Sequence, residues 1–197
     1  GRDPRCVGAN FFGSYALDHH RYLNVGYMVV CVSNAAMLHF DLRLKGLEAP
    51  PELHQHQRDL WYVVRRMIFS NGRLARIGGD SRIRYAYCQE YLVPSLLYAA
   101  DHLGDGHAMD LAEAQLRLMA EEQEFGGDGS FFGARLAEIA RANPYCYTRL
   151  ESDRACVLSM ALAYGPLVRA AARPARSFEA SVAGAWCEPE HAAAMHR

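Results

Sequence analysis

Residues 25–40 have the sequence VGYMVVCVSNAAMLHF, and this segment decides the fold prediction because it is apolar on nearly every face of a helix. Asn34 and His39 are its main polar interruptions. A helix that is apolar all round is buried on all sides. The segment is also shorter and more interrupted than the roughly 20 apolar residues of a membrane span. We therefore predict an inner helix over residues 22–44, enclosed by other helices, and no interaction with a membrane.

Five further helical segments are predicted from apolar residues at helical spacing. They cover residues 52–69, 85–103, 107–125, 132–142 and 151–172. Pro94 is expected to kink or restart the third helix, because proline removes a backbone donor. Asn143-Pro144 is expected to end the fifth helix, and Ser152 or Asp153 to cap the sixth. No strand pattern of any length precedes Ser177.

This order of elements predicts an all-α fold in which αα-hairpins form a double layer, as in a partial (α/α) toroid. Inner helices of such a layer are apolar all round, and outer helices carry one apolar stripe. Residues 1–173 are predicted to form this helical domain, and residues 174–197 an irregular C-terminal tail that begins a further domain. A solenoid of αα-hairpins stays open as an alternative, although the helix pairs share no internal repeat.

Composition narrows the class of protein. The 197 residues fit one domain, and a net charge of −1 gives no pull toward nucleic acid or a lipid surface. The six cysteines form no CxxC pair, which argues against a disulfide framework or a structural zinc site and favours a reducing, cytoplasmic compartment. The first residues, GRDPR, carry no signal peptide, and the chain begins without methionine, as a processed piece would.

Familiar catalytic motifs are missing from the sequence. It contains no P-loop, GxGxxG, GxSxG or HExxH pattern, so nucleotide, serine-hydrolase and zinc-protease chemistry are disfavoured, and no cofactor or metal is expected. His54 and His56, separated by one residue, are expected to lie at the surface and not to form a zinc pair.

The densest group of polar residues is the stretch 72–91, GRLARIGGDSRIRYAYCQEY. Its glycine pair lets the backbone turn and a ligand approach closely. Arg82 and Arg84 present planar forks suited to a carboxylate. Tyr85 follows Arg84 directly, and a nearby cation favours the phenolate, which suits Tyr85 to proton transfer. Asp80 and Glu90 are a second possibility, as a carboxylate pair for glycoside hydrolysis, although Glu90 also fits a simple ion-pair partner.

A second polar group precedes and begins the inner helix. Asn24 and Tyr27 are three residues apart and share a helical face. His19 and His20 are suited to carry protons near neutral pH, and Asn10 belongs to the same group. The alternative is that the two histidines cap the helix or lie in solvent.

Three segments together resemble bacterial heparinase II/III-type proteins: residues 19–28 (HHRYLNVGYM), residues 72–82 (GRLARIGGDSR) and residues 186–191 (WCEPEH). Those proteins pair an (α/α) toroid with a β-sandwich and act on uronate-bearing polysaccharides. The resemblance implies a polysaccharide lyase that cleaves an acidic oligo- or polysaccharide by β-elimination. The chain departs from that pattern, because such toroids have more than six helices and no β-sandwich follows here.

Within this resemblance, His20 and Tyr85 are the expected proton-transfer residues, and Asn24 with Arg84 is expected to hold the uronate carboxylate. The remaining expected substrate-binding residues are Asn10, His19, Tyr27, Asp80, Arg82 and Glu90.

Two other functions stay open. The first is a glycoside hydrolase on the same scaffold that uses two of the carboxylates Asp80, Glu90, Asp128 and Glu151. The second is a non-catalytic helical binding module, in which the polar groups are scattered over the surface. Elimination leaves a double bond and hydrolysis adds water, so the product separates the two enzymes.

Overall fold

The computed structural model describes residues 10–19, 21–75 and 88–197. The helices in these ranges are α1 Val25–Leu44, α2 Gln57–Arg66, α3 Leu92–Tyr98, α4 Ala108–Gly126, α5 Ala137–Ala142, α6 Pro144–Tyr164 and α7 Phe178–Val182. Short 3₁₀ turns cover Pro51–His54, Gly133–Leu136, Gly165–Leu167 and Pro189–His191, and a π turn covers Ala99–Leu103. The strands are β1 Asp18–His19, β2 Tyr22–Leu23, β3 Ala185–Glu188 and β4 Ala193–His196. The fold is mostly helical, as predicted.

Helix α1 contributes one broad face to the core, which is less than its apolar sequence predicted. Its buried residues Val25, Met28, Val32, Ala36 and Phe40 share one face at helical spacing, and this face packs against α2 and α3. Residues of the opposite face are exposed, namely Asn34, Leu38 and Asp41, so the expectation of burial on all sides is wrong. Contrary to our expectation, its length and hydropathy are sufficient for a membrane span. However, 56% of its most apolar window is buried against the rest of the protein. The core helix of a globular domain has the same properties.

Helix α3 differs from its predicted form. It begins at Leu92, and the predicted start at Tyr85 lies outside the described residues. Pro94 therefore occupies the first turn, where backbone N–H groups have no partner within the helix. The helix thus starts afresh next to Pro94, which is the restart alternative of the prediction, and the kink alternative is wrong. The helix passes directly into the π turn Ala99–Leu103 and ends at Gly104, whose φ is +75°.

Helix α6 begins earlier than predicted, at Pro144. Proline is favoured at the first position of a helix, because its fixed φ is helical and its missing N–H would have no partner there. Asn143-Pro144 therefore separates α5 from α6 by a single residue. Ser152 and Asp153 lie inside α6, so the capping role predicted for them is wrong.

The tail is more regular than the irregular segment we predicted. It contains α7 and an antiparallel hairpin in which Ala185 pairs with His196 and Glu188 with Ala193. Four-residue strands are too short to show a clear alternation in the sequence. Phe178 of α7 is buried, and the Arg197 guanidinium donates to the carbonyl of Ile68 at 2.5 Å, so the tail packs on the helical core.

The prediction that no strand precedes Ser177 is also wrong, although the strands found there are very short. The two-residue strands β1 and β2 pair antiparallel, with Asp18 opposite Leu23 and His19 opposite Tyr22. Arg21 lies in the turn between them with a φ of 65°. This small hairpin leads the chain into α1.

Gly72 gives a direct test of how closely the loop after α2 packs on α4. A Cβ placed there would lie 2.7 Å from the backbone nitrogen of Gln115, and φ is +83°. We expect Gly72→Ala to cost about 1–2 kcal/mol for the left-handed backbone and a further 1–3 kcal/mol or so for the overlap. Gly104→Ala is the matched control, because φ is +75° and a Cβ would meet nothing within 4 Å.

Urea unfolding of both variants measures the difference. Equal losses of unfolding free energy in Gly72→Ala and Gly104→Ala would show that the loop is free to move away from α4.

Candidate functional site

Three of the predicted site residues come together where the β1–β2 hairpin enters α1. Asn24 is the N-cap of α1, and its Oδ1 accepts a hydrogen bond from the backbone N–H of Tyr27 at 2.8 Å. The rings of His19 and Tyr27 meet edge to face, with centroids 4.4 Å apart. Asn24 is fully buried, and its Nδ2 has no hydrogen-bond partner among the described residues. We call His19, Asn24 and Tyr27 the cap cluster.

The other predicted site residues are distributed differently. Asn10 contributes its backbone carbonyl, which accepts from the N–H of Asp18 at 2.7 Å, and its side chain is exposed. Five further predicted residues lie outside the described residues: His20, Asp80, Arg82, Arg84 and Tyr85. Their convergence with the cap cluster stays a prediction.

Glu90 belongs to a buried ion network. Both of its carboxylate oxygens accept hydrogen bonds from Arg154, at 2.9 and 2.8 Å. The same guanidinium donates to Glu122 at 2.7 Å and lies 4.2 Å from the centre of the Phe132 ring. Arg73 pairs with the other oxygen of Glu122. The ion-pair interpretation of Glu90 is therefore confirmed, and we leave Glu90 out of the substrate site.

The pKa directions in this network follow from burial and from the bonds. Burial raises the pKa of Glu90 and outweighs its bonds to Arg154. Burial alone would also raise the pKa of Glu122, but the hydrogen bonds from Arg154 and Arg73 outweigh it, and the pKa is lowered. Two carboxylates thus share one buried arginine, and the half-exposed Arg73 provides the second positive charge.

Two other candidate carboxylates also have structural roles. Glu151 on α6 accepts hydrogen bonds from the backbone N–H groups of Phe131 and Phe132, at 3.0 and 2.9 Å, and so holds the glycine-rich loop before α5. Asp128 accepts from the backbone N–H and the hydroxyl of Ser130. Within the described residues, the carboxylates considered for hydrolysis are therefore engaged in structure.

A second polar site lies at the other end of α1. Three histidines line a cavity of about 770 Å³, which we call the histidine cleft. His39 comes from α1, His54 ends the Pro51–His54 turn, and His102 lies in the π turn. One ligand nitrogen from each ring lies within 4.8 Å of the other two. Arg43 and Arg169 line the same cavity.

Asp101 organises this cleft. Its carboxylate accepts hydrogen bonds from His39 Nε2 at 2.9 Å, from the Arg43 guanidinium at 2.5 Å and from the backbone N–H of Arg169 at 2.7 Å. Burial alone would raise the pKa of Asp101, but these three bonds outweigh it and hold the pKa below its usual value. Asp101 is thus a carboxylate, and it fixes the orientation of the His39 ring.

The other two histidines are stacked on each other and held neutral. The His54 and His102 rings have centroids 3.7 Å apart, and His54 Nδ1 lies 2.6 Å from the hydroxyl oxygen of Tyr98. Burial, followed by the charges of His102 and His39, lowers the pKa of His54 to about 4. Burial and the charge of His39 also lower the pKa of His102. Neutral imidazoles carry a nitrogen lone pair, which is the form that binds a metal ion.

Little in the sequence indicated this cleft. His39 was treated as an interruption of an apolar helix, and His54 was expected at the surface, whereas the structure places it half-buried against Tyr98. The three histidines are 15 and 48 residues apart, which matches no local metal motif. The one usable signal is a histidine on the most apolar helix, because a buried ring nitrogen needs a partner.

Comparison with protein-family models, with curated proteins and with solved structures finds no match to this chain.

The buried network around Arg154 predicts a large difference between two arginine substitutions. We expect Arg154→Met to lower the free energy of unfolding by about 3–5 kcal/mol, because it leaves two buried carboxylates without their shared partner. Arg117→Met is the control: Arg117 pairs with Glu113 at 2.8 Å on the exposed face of α4. An exposed pair of this kind contributes about 0.5 kcal/mol or less.

Chemical unfolding of both variants at neutral pH tests this difference. A loss near 0.5 kcal/mol in Arg154→Met would mean that Glu90 and Glu122 are reached by water.

Proposed function

We propose that the protein is a carbohydrate-active enzyme that cleaves a uronate-containing polysaccharide by β-elimination. The observation that carries the proposal is the cap cluster, in which a histidine and a tyrosine meet beside a buried amide. β-Elimination needs a base for the C5 proton, an acid for the departing glycosidic oxygen and a donor that neutralises the carboxylate. The cap cluster holds these residue types at one end of a buried helix.

The cap geometry fixes the orientation of Asn24, which we propose as a carboxylate donor although its side chain is fully buried. Its Oδ1 is occupied by the backbone N–H of Tyr27, which fixes the orientation of the amide. The Nδ2 group is therefore the part left to donate, and a donor is what a carboxylate requires. Arg84 and Arg82 are proposed as further carboxylate partners, as the sequence suggested.

His20 and Tyr85 remain the proposed proton-transfer pair. His20 directly follows His19 in the sequence, and we propose that it acts beside the cap cluster. Tyr85 is proposed to approach from the glycine-rich stretch, and His19 and Tyr27 are proposed to bind the sugar beside it. The mostly helical fold with α1 at its centre is compatible with the (α/α) toroid that the heparinase II/III resemblance implies, and that toroid is part of this proposal.

Asn24→Ser and Tyr85→Phe test these roles. Serine preserves the helix cap and removes the amide donor, so we expect folding to be retained and activity to fall by about tenfold or more. Tyr85→Phe removes the proton-transfer hydroxyl, and we expect a loss of kcat on the order of 10²-fold or more. Tyr62→Phe on the exposed face of α2 is the control, with activity unchanged.

The assay is a panel of acidic polysaccharides in which unsaturated ends are measured by ultraviolet absorbance and reducing ends are measured in parallel. Reducing ends without absorbance would replace the lyase proposal by hydrolysis. Binding without either product would replace it by a non-catalytic module. Unchanged release of unsaturated product by Tyr85→Phe would remove that residue from the mechanism.

A further inference from the structure

We propose that His39, His54 and His102 bind a divalent transition-metal ion of the zinc type in the histidine cleft. This site is separate from the proposed lyase site. His39 follows Asn24 by 15 residues on α1, which corresponds to about 22 Å along the helix. The metal site therefore stands or falls independently of the lyase.

The first argument is the unpaired lone pair of His39. His39 is 7% exposed, and its Nδ1 is buried with no hydrogen-bond partner among the described residues. Its Nε2 faces the Asp101 carboxylate, which only accepts hydrogen bonds, so in the neutral ring the proton is on Nε2. Nδ1 is then a bare acceptor inside the protein. A buried polar atom without a partner is rare and calls for a ligand.

The second argument is the pairing of Asp101 with His39. Metal-binding histidines commonly donate their other N–H to a carboxylate, which fixes the ring and increases its basicity as a ligand. Asp101 has this role, and Arg43 and the Arg169 backbone hold Asp101 in turn. The pair is built in advance of any ion, from two separate elements.

The third argument is that His54 has a comparable partner. Its Nδ1 lies 2.6 Å from the Tyr98 hydroxyl oxygen, and Tyr98 is fully buried. A metal at Nε2 would select the tautomer in which Nδ1–H donates to that oxygen. His102 stacks on His54 and is the exposed member of the three, so its ring is free to turn toward an ion.

The distances and the donor set define the class of ion. Three nitrogens bound tetrahedrally at about 2.1 Å from zinc stand about 3.4 Å apart. The three ring nitrogens lie within 4.8 Å of one another, so they must approach by up to about 1.4 Å. Side-chain rotation of the exposed His102 and the half-buried His54 would supply that change. Three imidazoles without a carboxylate favour zinc or cobalt over magnesium or calcium.

The cleft leaves room for a fourth ligand. The cavity has a volume of about 770 Å³ and is lined by Arg43 and Arg169 as well as by the three rings. Three protein ligands with an open position are the arrangement of catalytic zinc sites, and such an ion supplies a bound water of lowered pKa. The exposed Arg169 side chain would place a positive charge beside that position.

Calorimetric titration of the chelator-treated protein with zinc chloride tests the proposal. We expect one ion per chain. Cobalt(II) should give the intense visible absorption of a tetrahedral site with nitrogen ligands. His102→Asn should weaken zinc binding at least 100-fold with folding unchanged, because His102 is exposed. His56→Asn is the matched control: His56 is exposed with a φ of 59°, which asparagine tolerates, and binding should be unchanged.

Asp101→Asn tests the positioning role. We expect zinc affinity to fall about 10–100-fold while the stoichiometry stays one ion per chain. Circular dichroism of each variant separates lost binding from lost folding. No calorimetric binding by the unmodified chain, or unchanged affinity in both His102→Asn and His54→Asn, would overturn the proposal and leave the rings as a packed neutral cluster. Release of unsaturated product after chelation would leave the lyase intact, so the two proposals fail separately.

Discussion

A single buried carboxylate, Asp101, joins three parts of the chain that are far apart in sequence. It accepts from His39 and Arg43 on α1 and from the backbone N–H of Arg169 after α6, while its own residue belongs to the π turn. A buried charge is costly unless it is paired and hydrogen-bonded, so these donors must stay together for the fold to persist. The bond to Asp101 also orients the ring of His39, which lines the histidine cleft.

The sequence predicted the core well because one segment carried the information. The apolar run of α1 indicated a core helix, and the structure places Val29 and Val32 fully out of water, although Leu38 on the opposite face is 46% exposed. The ends of the helices were harder to predict, because proline is found both after the end of one helix and at the start of the next. Asn143-Pro144 was interpreted only as the end of α5, whereas Pro144 also begins α6. The π turn Ala99–Leu103 has no sequence signature of its own, because it continues the α3 pattern with one extra residue in the turn.

The polar sites were predictable only where their residues are neighbours in sequence. Asn24 and Tyr27 are three residues apart and do meet in the cap cluster, although through a capping bond to the Tyr27 backbone and not through a shared helical face. The ion network depends on Arg154 meeting Glu90 across 64 residues, and the histidine cleft depends on three separate elements. Such contacts are decided by how the helices pack, and periodicity within one helix does not specify that packing.

The position of both sites at the ends of α1 has a physical reason. Apolar contacts are non-directional, so they bury the middle of the helix without fixing its position along its axis. Polar contacts at the two ends provide that position: Asn24 caps the first turn, and Arg43 donates to the carbonyl of Leu167 at 2.7 Å. Helix ends also have backbone groups that need partners. A buried helix therefore concentrates its polar side chains at its ends, and these are the places where the chain can present chemistry to a ligand.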